Sequence, residues 1–599
     1  MNSKRKDEIL NHIENILPIR IDFINIVKII IVSFIAFYLL ENFVPFYEGD
    51  DSSIFAFTSI QLSKGEYTIT NELLEETGDW SFIPRHWTKT IHNTAIPKIE
   101  LGFPTIGAFV YLIAGNNGLF YLNPIIATIF FIVADRIATN LFGRLVGLFT
   151  ILFLASSFWI IQFASFTMSD MLFVLVFIIG CFYFLKYLNE PVEKYLLISS
   201  SIFVASTFIR IIGIVFFLVE ILVVLSLIIY SISSKNKYNI ISKNLTQNAS
   251  LTSISFNRSI KIIFSIIGPW SLFFLFLFSY NDYYFGNPLT MKEVVMDPSD
   301  LEPLEDQTLL LIIPENIMGY LRAVLPFPFS HDIEPIDRSE DFLGKYWIGF
   351  LTPVLLGTIF LVSFKKNIKR MEITVFTIFL LSIILLYSAL PSAESQLERN
   401  TSQRYSIPAF TLFSMMIGFM IIEILQFNSR TTSNQPIFLK SFKIIVIISL
   451  VIFFIMAFYY TLPFQAISNG NFKFQNPEVF SAKYPLDNEG LTSQSIVLDS
   501  EGYRTADRGI IPLRSLYPTF DPQYFGTSPI SQELILQVKN LMGEGYDVFV
   551  YKKPSNDIDK LYFRYIVENN DLTLKSHSQS FCKFYFSENL QTKSDEDCL

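Results

Sequence analysis

Apolar runs of roughly twenty residues recur along most of this chain, and they limit its fold more than any other feature. The first extends from Phe23 to Tyr47, and its strongly polar residues are Asn25, Lys28, Glu41 and Asn42. A helix of about that length crosses a bilayer. Because 51% of all residues are hydrophobic and only 17% are charged, the runs exceed what a soluble core can bury. We therefore expect an α-helical polytopic membrane protein.

Charged residues between the runs predict how the helices are oriented. Lys4, Arg5 and Lys6 precede the first run, which by the positive-inside rule leaves the amino terminus in the cytoplasm. Segments 231–261 and 365–370 are basic and are expected inside, whereas 281–344 is acidic and is expected outside. The pattern predicts about eleven spans in a multi-pass protein of the cell (plasma) membrane. The later spans are predicted near Tyr195–Phe208, Ile211–Tyr230, Ile262–Tyr280, Tyr346–Ser363, Ile373–Leu390, Pro408–Leu425 and Ile444–Tyr460.

The region between Asp51 and Asp170 does not fit a simple alternation. Both residues are expected on the outer face, which requires an even number of crossings between them. The sequence has three apolar runs here, near Leu101–Gly115, Leu119–Ala134 and Leu145–Gln162. One of the three must be re-entrant or lie on the membrane surface, and the sequence leaves open which one.

Two domains are predicted. Residues 1–462 form a transmembrane domain with outer loops 47–100 and 281–344, and residues 463–599 form a small extracytoplasmic α/β domain, because the apolar runs shorten after Leu462. In this second domain we expect strands at Ile496–Asp499, Tyr546–Tyr551 and Phe581–Phe586, and helices at Ser531–Met542 and Ile558–Val567.

Two adjacent carboxylates, Asp50 and Asp51, follow the first apolar run. An acidic side chain at mid-bilayer costs about 3 kcal/mol, so the pair is expected just beyond the helix, in water or in a polar cavity. Ile54, Phe57 and Ile60 then recur at three-residue spacing, which predicts a helix lying in the membrane interface. One interpretation is that an aspartate merely caps this helix, and the other is that the pair takes part in chemistry.

The predicted topology collects further ionisable residues on the outer side: Arg85, His86, His92, Asp170, Arg210, His331 and Arg404. Membrane proteins place such groups at this depth chiefly to line a cavity or a pathway. An arginine fork suits a phosphate group, and a carboxylate near a hydroxyl suits general-base catalysis. The alternatives are that Arg210 is a snorkelling side chain and that His86 and His92 are ordinary loop residues. A net charge of −9 argues against nucleic acid as a partner.

The order of several short motifs resembles the GT-C superfamily of membrane glycosyltransferases. In the first outer loop, Asp51 is followed by Phe55-Ala56 and Gly65, and similar elements follow through residue 425. The resemblance is to the RgtA/B/C/D-like branch and to its protein mannosyltransferase and aminoarabinose transferase relatives. The later elements are Phe103-Pro104-Thr105, Ala114-Gly115, Leu141-Phe142-Gly143-Arg144, Ser169-Asp170-Met171, Phe208-Ile209-Arg210, Tyr284-Phe285-Gly286-Asn287-Pro288-Leu289 and Gln403-Arg404-Tyr405-Ser406-Ile407-Pro408.

The resemblance implies an enzyme that moves a sugar from a polyprenyl-phosphate-linked donor to a hydroxyl acceptor (glycan, lipid or protein) at the outer membrane face, with inversion. It implies that Asp51 or Asp50 is the base and that Asp170 is the second acidic position. Arg404 or Arg210 would hold the lipid phosphate, with Tyr405 beside Arg404. Some members use a divalent metal, which Asp50 and Asp51 could bind, and no other cofactor is implied. The Trp-Trp-Asp-Tyr-Gly motif of oligosaccharyltransferases is absent, which disfavours transfer of a whole oligosaccharide.

Two other functions fit the same residues. A transporter or flippase of a lipid-linked or anionic solute would line its path with such arginines and carboxylates, but would need ionisable groups or broken helices near mid-bilayer. A non-catalytic assembly protein would use its outer domain to bind a partner and would tolerate loss of either aspartate.

Overall fold

The computed structural model describes residues 21–43, 49–68, 87–92, 94–234, 256–289, 370–388, 407–426, 454–455, 495–498, 519–520, 547–551, 572–577 and 581–586. Most of these residues are helical. The helices are α1 Ile21–Glu41, α2 Gly49–Ser63, α3 Gly102–Phe142, α4 Arg144–Ala155, α5 Phe158–Ser165, α6 Asp170–Asn189, α7 Glu193–Ile209, α8 Val215–Ser234, α9 Phe256–Phe285, α10 Arg370–Ser388 and α11 Ile407–Gln426. Strands β1 (Trp87–Lys89) and β2 (Ala95–Pro97) pair antiparallel in a hairpin between α2 and α3.

Four segments of the described helices are long and apolar enough to cross a membrane: Phe23–Glu41, Asn117–Phe142, Asp170–Asn189 and Ile260–Phe285. Helices are expected because a backbone in a bilayer must satisfy its hydrogen bonds internally. The prediction of a helical membrane protein is confirmed. The count of about eleven spans stays a prediction, since the run at 346–363 and most of the run at 444–460 lie outside the described residues.

Gly115 divides α3 into two parts. Its backbone has φ 60° and ψ −151°, a left-handed conformation that glycine adopts far more readily than other residues. The first part, Gly102–Gly115, is short and packs closely on α2, because a Cβ added at Gly107 would lie 2.3 Å from Ser59 Oγ. The second part is one of the four long apolar segments. Of the three apolar runs in this region, the first is thus a short helix and the third is divided between α4 and α5, whereas the second lies in a long apolar segment.

Helix α6 lies at the centre of the bundle. In the most apolar stretch of α6, 72% of the residues are buried within the protein, compared with 17% in the corresponding stretch of α1. Its Phe177 ring stacks on the Phe216 ring at 4.6 Å between ring centroids. The Phe203 ring of α7 lies 5.0 Å from the Phe216 ring. Gly180 allows α7 to approach, since an added Cβ would lie 2.6 Å from the Phe203 ring. The core of the bundle is therefore an aromatic cluster built around α6.

A buried ion pair connects α1 to α3. Lys28 Nζ lies 2.6 Å from Asp135 Oδ1 and donates a hydrogen bond of 2.8 Å to Thr139 Oγ1. Gly147 of α4 lies against this pair, and a Cβ added there would come within 2.3 Å of Asp135 Oδ1. The lysine that interrupts the first apolar run is thus neutralised by a partner inside the bundle.

The carboxy-terminal part of the chain contains a five-stranded sheet. Its strands are β3 Ser495–Leu498, β4 Thr519–Phe520, β5 Asp547–Tyr551, β6 Leu572–His577 and β7 Phe581–Phe586, in the order β4-β3-β5-β7-β6. β3 pairs parallel with β4 and β5, whereas β7 pairs antiparallel with β5 and β6. The three predicted strands are present. The two helices predicted at 531–542 and 558–567 lie outside the described residues, so the α/β domain and its boundary stay predictions.

Candidate functional site

Asp50 and Asp51 lie in the first turn of α2. Negative charge at this end of a helix is stabilised by the helix dipole. The predicted helix after the pair exists, and its apolar residues are packed against other parts of the protein. Ile54 is 2% exposed, and the Phe55 ring contacts the Phe103 ring edge to face at 5.4 Å. The apolar spacing therefore reflects burial against α3 and the β1–β2 hairpin, not contact with lipid.

Asp170 and Arg210 form a buried ion pair, in which Arg210 Nη1 donates to Asp170 Oδ1. Asp170 is the first residue of α6 and its side chain is 3% exposed, whereas the Arg210 side chain is 15% exposed. Arg210 occupies an extended position, φ −150° and ψ 124°, between the end of α7 and a 3-10 helix at Ile211–Ile214. Both residues were predicted on the outer side. The structure brings them into direct contact, which the sequence did not indicate.

The loop that precedes Asp170 is anchored by Asn123 of α3. Asn123 Nδ2 donates to the Met168 carbonyl at 2.7 Å, to the Phe163 carbonyl at 3.4 Å and to the Phe166 carbonyl. Thr167 Oγ1 adds a bond of 3.4 Å to the Leu119 carbonyl. Asn123 is fully buried, so its amide supplies hydrogen bonds to this loop where water is excluded. The sequence signal for it was a lone asparagine within an apolar run.

Glu100 provides a second anchor, on the Arg210 side of the ion pair. Its Oε1 accepts a hydrogen bond of 3.0 Å from the backbone N–H of Ile211. The two segments are in close contact nearby, because a Cβ added at Gly102 would lie 2.7 Å from the Phe208 carbonyl oxygen. Sequence reasoning did not single out Glu100, since nothing in its local pattern relates it to a residue 111 positions away.

An aromatic wall stands beside Glu100. The hydroxyls of Tyr67 and Tyr280 lie 2.6 Å apart, and the Tyr284 ring contacts both side chains at centroid distances of 5.9 and 4.8 Å. Burial raises the pKa of the Tyr67 phenol, and the negative charge of Glu100 raises it further. His92 is in the hairpin turn, where its Nε2 lies 2.9 Å from the Tyr283 carbonyl oxygen. Tyr67, Tyr280 and Tyr284 therefore connect the segment after α2 to the end of α9, and His92 connects the hairpin turn to the same end.

Glu220 is a buried acid that the sequence reasoning also missed. It lies within α8 and is 0% exposed. Its carboxyl group contacts Ser199 Oγ at 3.0 Å, Ser200 Oγ at 2.9 Å and Trp270 Nε1 at 3.3 Å. Ionisable groups in this protein are thus not confined to the outer ends of the spans. The contacts of Glu220 are nevertheless all with neighbouring helices, as in a packed core.

Several predicted site residues lie outside the described part of the chain: Arg404, Tyr405, Arg85, His86 and His331. The side chains of Asp50 and Asp51 also lie outside it, although their backbone belongs to α2. Among the described residues, no group of three or more His, Cys, Asp or Glu side chains could hold a metal ion. The structure therefore brings together Asp170, Arg210 and Glu100, and the roles of the other residues stay predictions.

Comparison with known proteins finds similarity at the level of structure. No family model matches the chain, and no curated protein matches its sequence. The crystal structure of ArnT from Cupriavidus metallidurans bound to undecaprenyl phosphate matches with a TM-score of 0.51 at 10% identity, covering 93% of this chain and 97% of that chain. The apo oligosaccharyltransferase of Archaeoglobus fulgidus matches with a TM-score of 0.46 at 10% identity, covering 88% of this chain and 70% of that one.

Proposed function

Because the chain has the fold of the GT-C membrane glycosyltransferases, we propose that it transfers a sugar from a polyprenyl-phosphate donor to a hydroxyl acceptor at the outer membrane face. The observation that carries the proposal is the buried Asp170–Arg210 pair at the start of the central helix α6. A buried arginine beside an apolar bilayer suits a phosphate that arrives from the lipid, because its planar fork donates parallel charge-assisted hydrogen bonds.

The reaction is a single displacement at the anomeric carbon. Asp51 or Asp50 takes the proton of the acceptor hydroxyl, and the acceptor oxygen attacks the anomeric carbon from the face opposite the phosphate. The bond between the anomeric carbon and the phosphate oxygen breaks, its electrons leave with the polyprenyl phosphate, and the proton stays on the aspartate. The sugar configuration is inverted. Lipid phosphate is a fair leaving group, so positioning and charge stabilisation supply much of the acceleration.

In this proposal Arg404 and Arg210 stabilise the charge that develops on the departing phosphate. Asp170 accepts a hydrogen bond from Nη1 of Arg210, which restricts where the guanidinium lies. Pre-organised charges of this kind are effective because they need no reorganisation during the reaction. Asp50 and Asp51 are the residues that would hold a divalent cation. Their side chains lie outside the described residues, so no step is assigned to a metal.

The transport alternative is less well supported by the described contacts. A path for an anionic solute would need ionisable groups that face a cavity near mid-bilayer. Glu220, the buried acid of α8, instead bonds to Ser199, Ser200 and Trp270 of the adjacent helices and is fully enclosed.

The test is sugar transfer by the purified protein in lipid nanodiscs. A panel of polyprenyl-phosphate monosaccharides serves as donor and a membrane extract as acceptor source, and wild type is compared with Asp50→Asn and Asp51→Asn. We expect turnover in wild type and its loss in the variant that lacks the base, while that variant still binds polyprenyl phosphate. Unchanged turnover in both variants would refute the proposed base, and absence of both turnover and donor binding in wild type would refute the function.

A further inference from the structure

We propose that Glu100 is the positioning residue for Arg210, and this rests on the proposed function. Its carboxylate bonds to the backbone directly after Arg210 and so sets the point from which the guanidinium reaches the lipid phosphate. Glu100 acts through the backbone and not through the guanidinium, which is paired with Asp170.

The backbone around Arg210 shows why such an anchor is needed. Helix α7 ends at Ile209, and the 3-10 helix begins at Ile211. The N–H of Arg210 bonds to the Ser206 carbonyl at 2.9 Å, and its carbonyl accepts from the N–H of Gly213 at 2.9 Å. The N–H of Ile211 is the first of the new helix, and such groups have no partner within their own helix. Glu100 Oε1 supplies that partner at 3.0 Å.

The close contact of the two segments makes this anchor stiff. A Cβ added at Gly102 would lie 2.7 Å from the Phe208 carbonyl oxygen, and one added at Gly213 would lie 2.7 Å from Ser206 Oγ. The Gly102 contact therefore places the Glu100 segment directly against the backbone of α7, and the Gly213 contact lets the turn that carries Arg210 fold closely onto α7. A shift of the turn that carries Arg210 relative to the Glu100 segment would therefore stretch or break the bond from Ile211 to Glu100.

The charge of Glu100 is not required for this role. A glutamine retains an oxygen at the same place and can accept the same hydrogen bond, whereas an alanine removes the acceptor. The loss of one such backbone hydrogen bond corresponds to about a tenfold change in an equilibrium that depends on it. We therefore expect the alanine variant to lose phosphate affinity and the glutamine variant to keep most of it.

The experiment measures binding of a polyprenyl phosphate without sugar to the full-length protein in nanodiscs, and donor KM and kcat in parallel. We expect Glu100→Ala to weaken binding and raise donor KM about tenfold, with acceptor KM unchanged, and Glu100→Gln to stay near wild type. Glu100→Ala in an Arg210→Ala background should add little, because the positioned group is gone. Glu66→Ala, which removes an exposed acid on the same loop as Tyr67, is the matched control.

Each outcome supports or overturns the positioning role of Glu100. Glu100→Ala with wild-type binding, or an effect of equal size with and without Arg210, would overturn the positioning role. Equal losses in Glu100→Gln and Glu100→Ala would also overturn it, because the charge and not the bond would then matter. If Glu100→Ala does not fold, Glu100→Asp serves instead, since its shorter side chain does not reach Ile211. If wild type shows no sugar transfer, and Glu100→Ala weakens polyprenyl-phosphate binding but adds little in the Arg210→Ala background, the inference holds and the proposed function is refuted.

Discussion

We expect the protein to tolerate glutamine at position 220 better than leucine. The reason is the number of hydrogens that the hydrogen bonds around the Glu220 side chain require. Ser199 has one hydroxyl hydrogen but lies 3.0 Å from two acceptors, the Gly180 carbonyl and Glu220 Oε1. Ser200 and Trp270 supply one hydrogen each to the other carboxyl oxygen. The four contacts need four hydrogens, and three come from the serines and the tryptophan. A carboxylic acid proton or an amide N–H supplies the fourth.

Glutamine in this position donates from its nitrogen to Ser199 Oγ and accepts from Ser200 and Trp270 through its oxygen. We expect Glu220→Gln to change the free energy of unfolding by less than about 1 kcal/mol. Glu220→Leu has similar bulk but loses three hydrogen bonds, which at about 0.6 kcal/mol each in a membrane bundle amount to about 2 kcal/mol.

The measurement is unfolding of the purified protein in mixed detergent micelles, with the folded fraction followed against denaturing detergent. Ser201→Ala is the matched control, because its exposed hydroxyl bonds only to the Leu197 carbonyl of its own helix at 2.8 Å. If Glu220→Gln destabilised the protein as much as Glu220→Leu, the count of hydrogens would be refuted. The carboxyl group would then be ionised, and its charge would matter.

Three further predictions concern the Asp170–Arg210 pair and the helix bundle. Replacing Asp170 alone by alanine should destabilise the protein by at most about 3–5 kcal/mol, since it removes the carboxylate from a partly buried guanidinium. Removing Arg210 as well should cost less than the sum, which a double-mutant cycle of thermal unfolding would measure. Asn123→Ala should lower the free energy of unfolding by about 1–3 kcal/mol and increase hydrogen exchange in the loop before Asp170. Unchanged exchange would contradict the anchoring role. Gly147→Ala should lower the free energy of unfolding by about 1–3 kcal/mol, because the new methyl group would clash with the Lys28–Asp135 ion pair. Gly268→Ala should be tolerated in the same unfolding assay, because the atom nearest to the new Cβ is 3.7 Å away.

The bounds of some helices were predictable from the sequence. The predicted spans at Ile373–Leu390 and Pro408–Leu425 differ by only one to three residues at each end from α10 and α11. This accuracy has a physical cause, because a bilayer admits only backbone that satisfies its own hydrogen bonds, and apolar length alone then specifies a helix. The expectation for α2 was less accurate. A spacing typical of a lipid-facing surface also occurs when a helix packs on protein, and Ile54 and Phe57 are in fact covered by Ala95 and Ile99.

The candidate site was predictable in composition but not in geometry. The sequence marked Asp170 and Arg210 as ionisable residues at the ends of apolar runs, and so at one face of the membrane. It did not reveal that they pair across 40 positions, or that Glu100 bonds to Ile211 across 111. It also did not indicate that Asn123 anchors the loop before Asp170.

By itself the sequence determined that this chain has helices apolar enough to cross a membrane, where some of them (α6, α7, α10 and α11) begin and end, and which charges lie outside the apolar runs. These properties depend on the solvent and on local pattern, since each residue meets the bilayer or water independently of distant partners. Only the tertiary structure decided that Gly115 bends α3 so that its first part packs on α2, and which distant groups meet around Arg210. Such contacts depend on which helices are neighbours and on how closely they approach, and a periodic pattern of apolar residues is compatible with many neighbours.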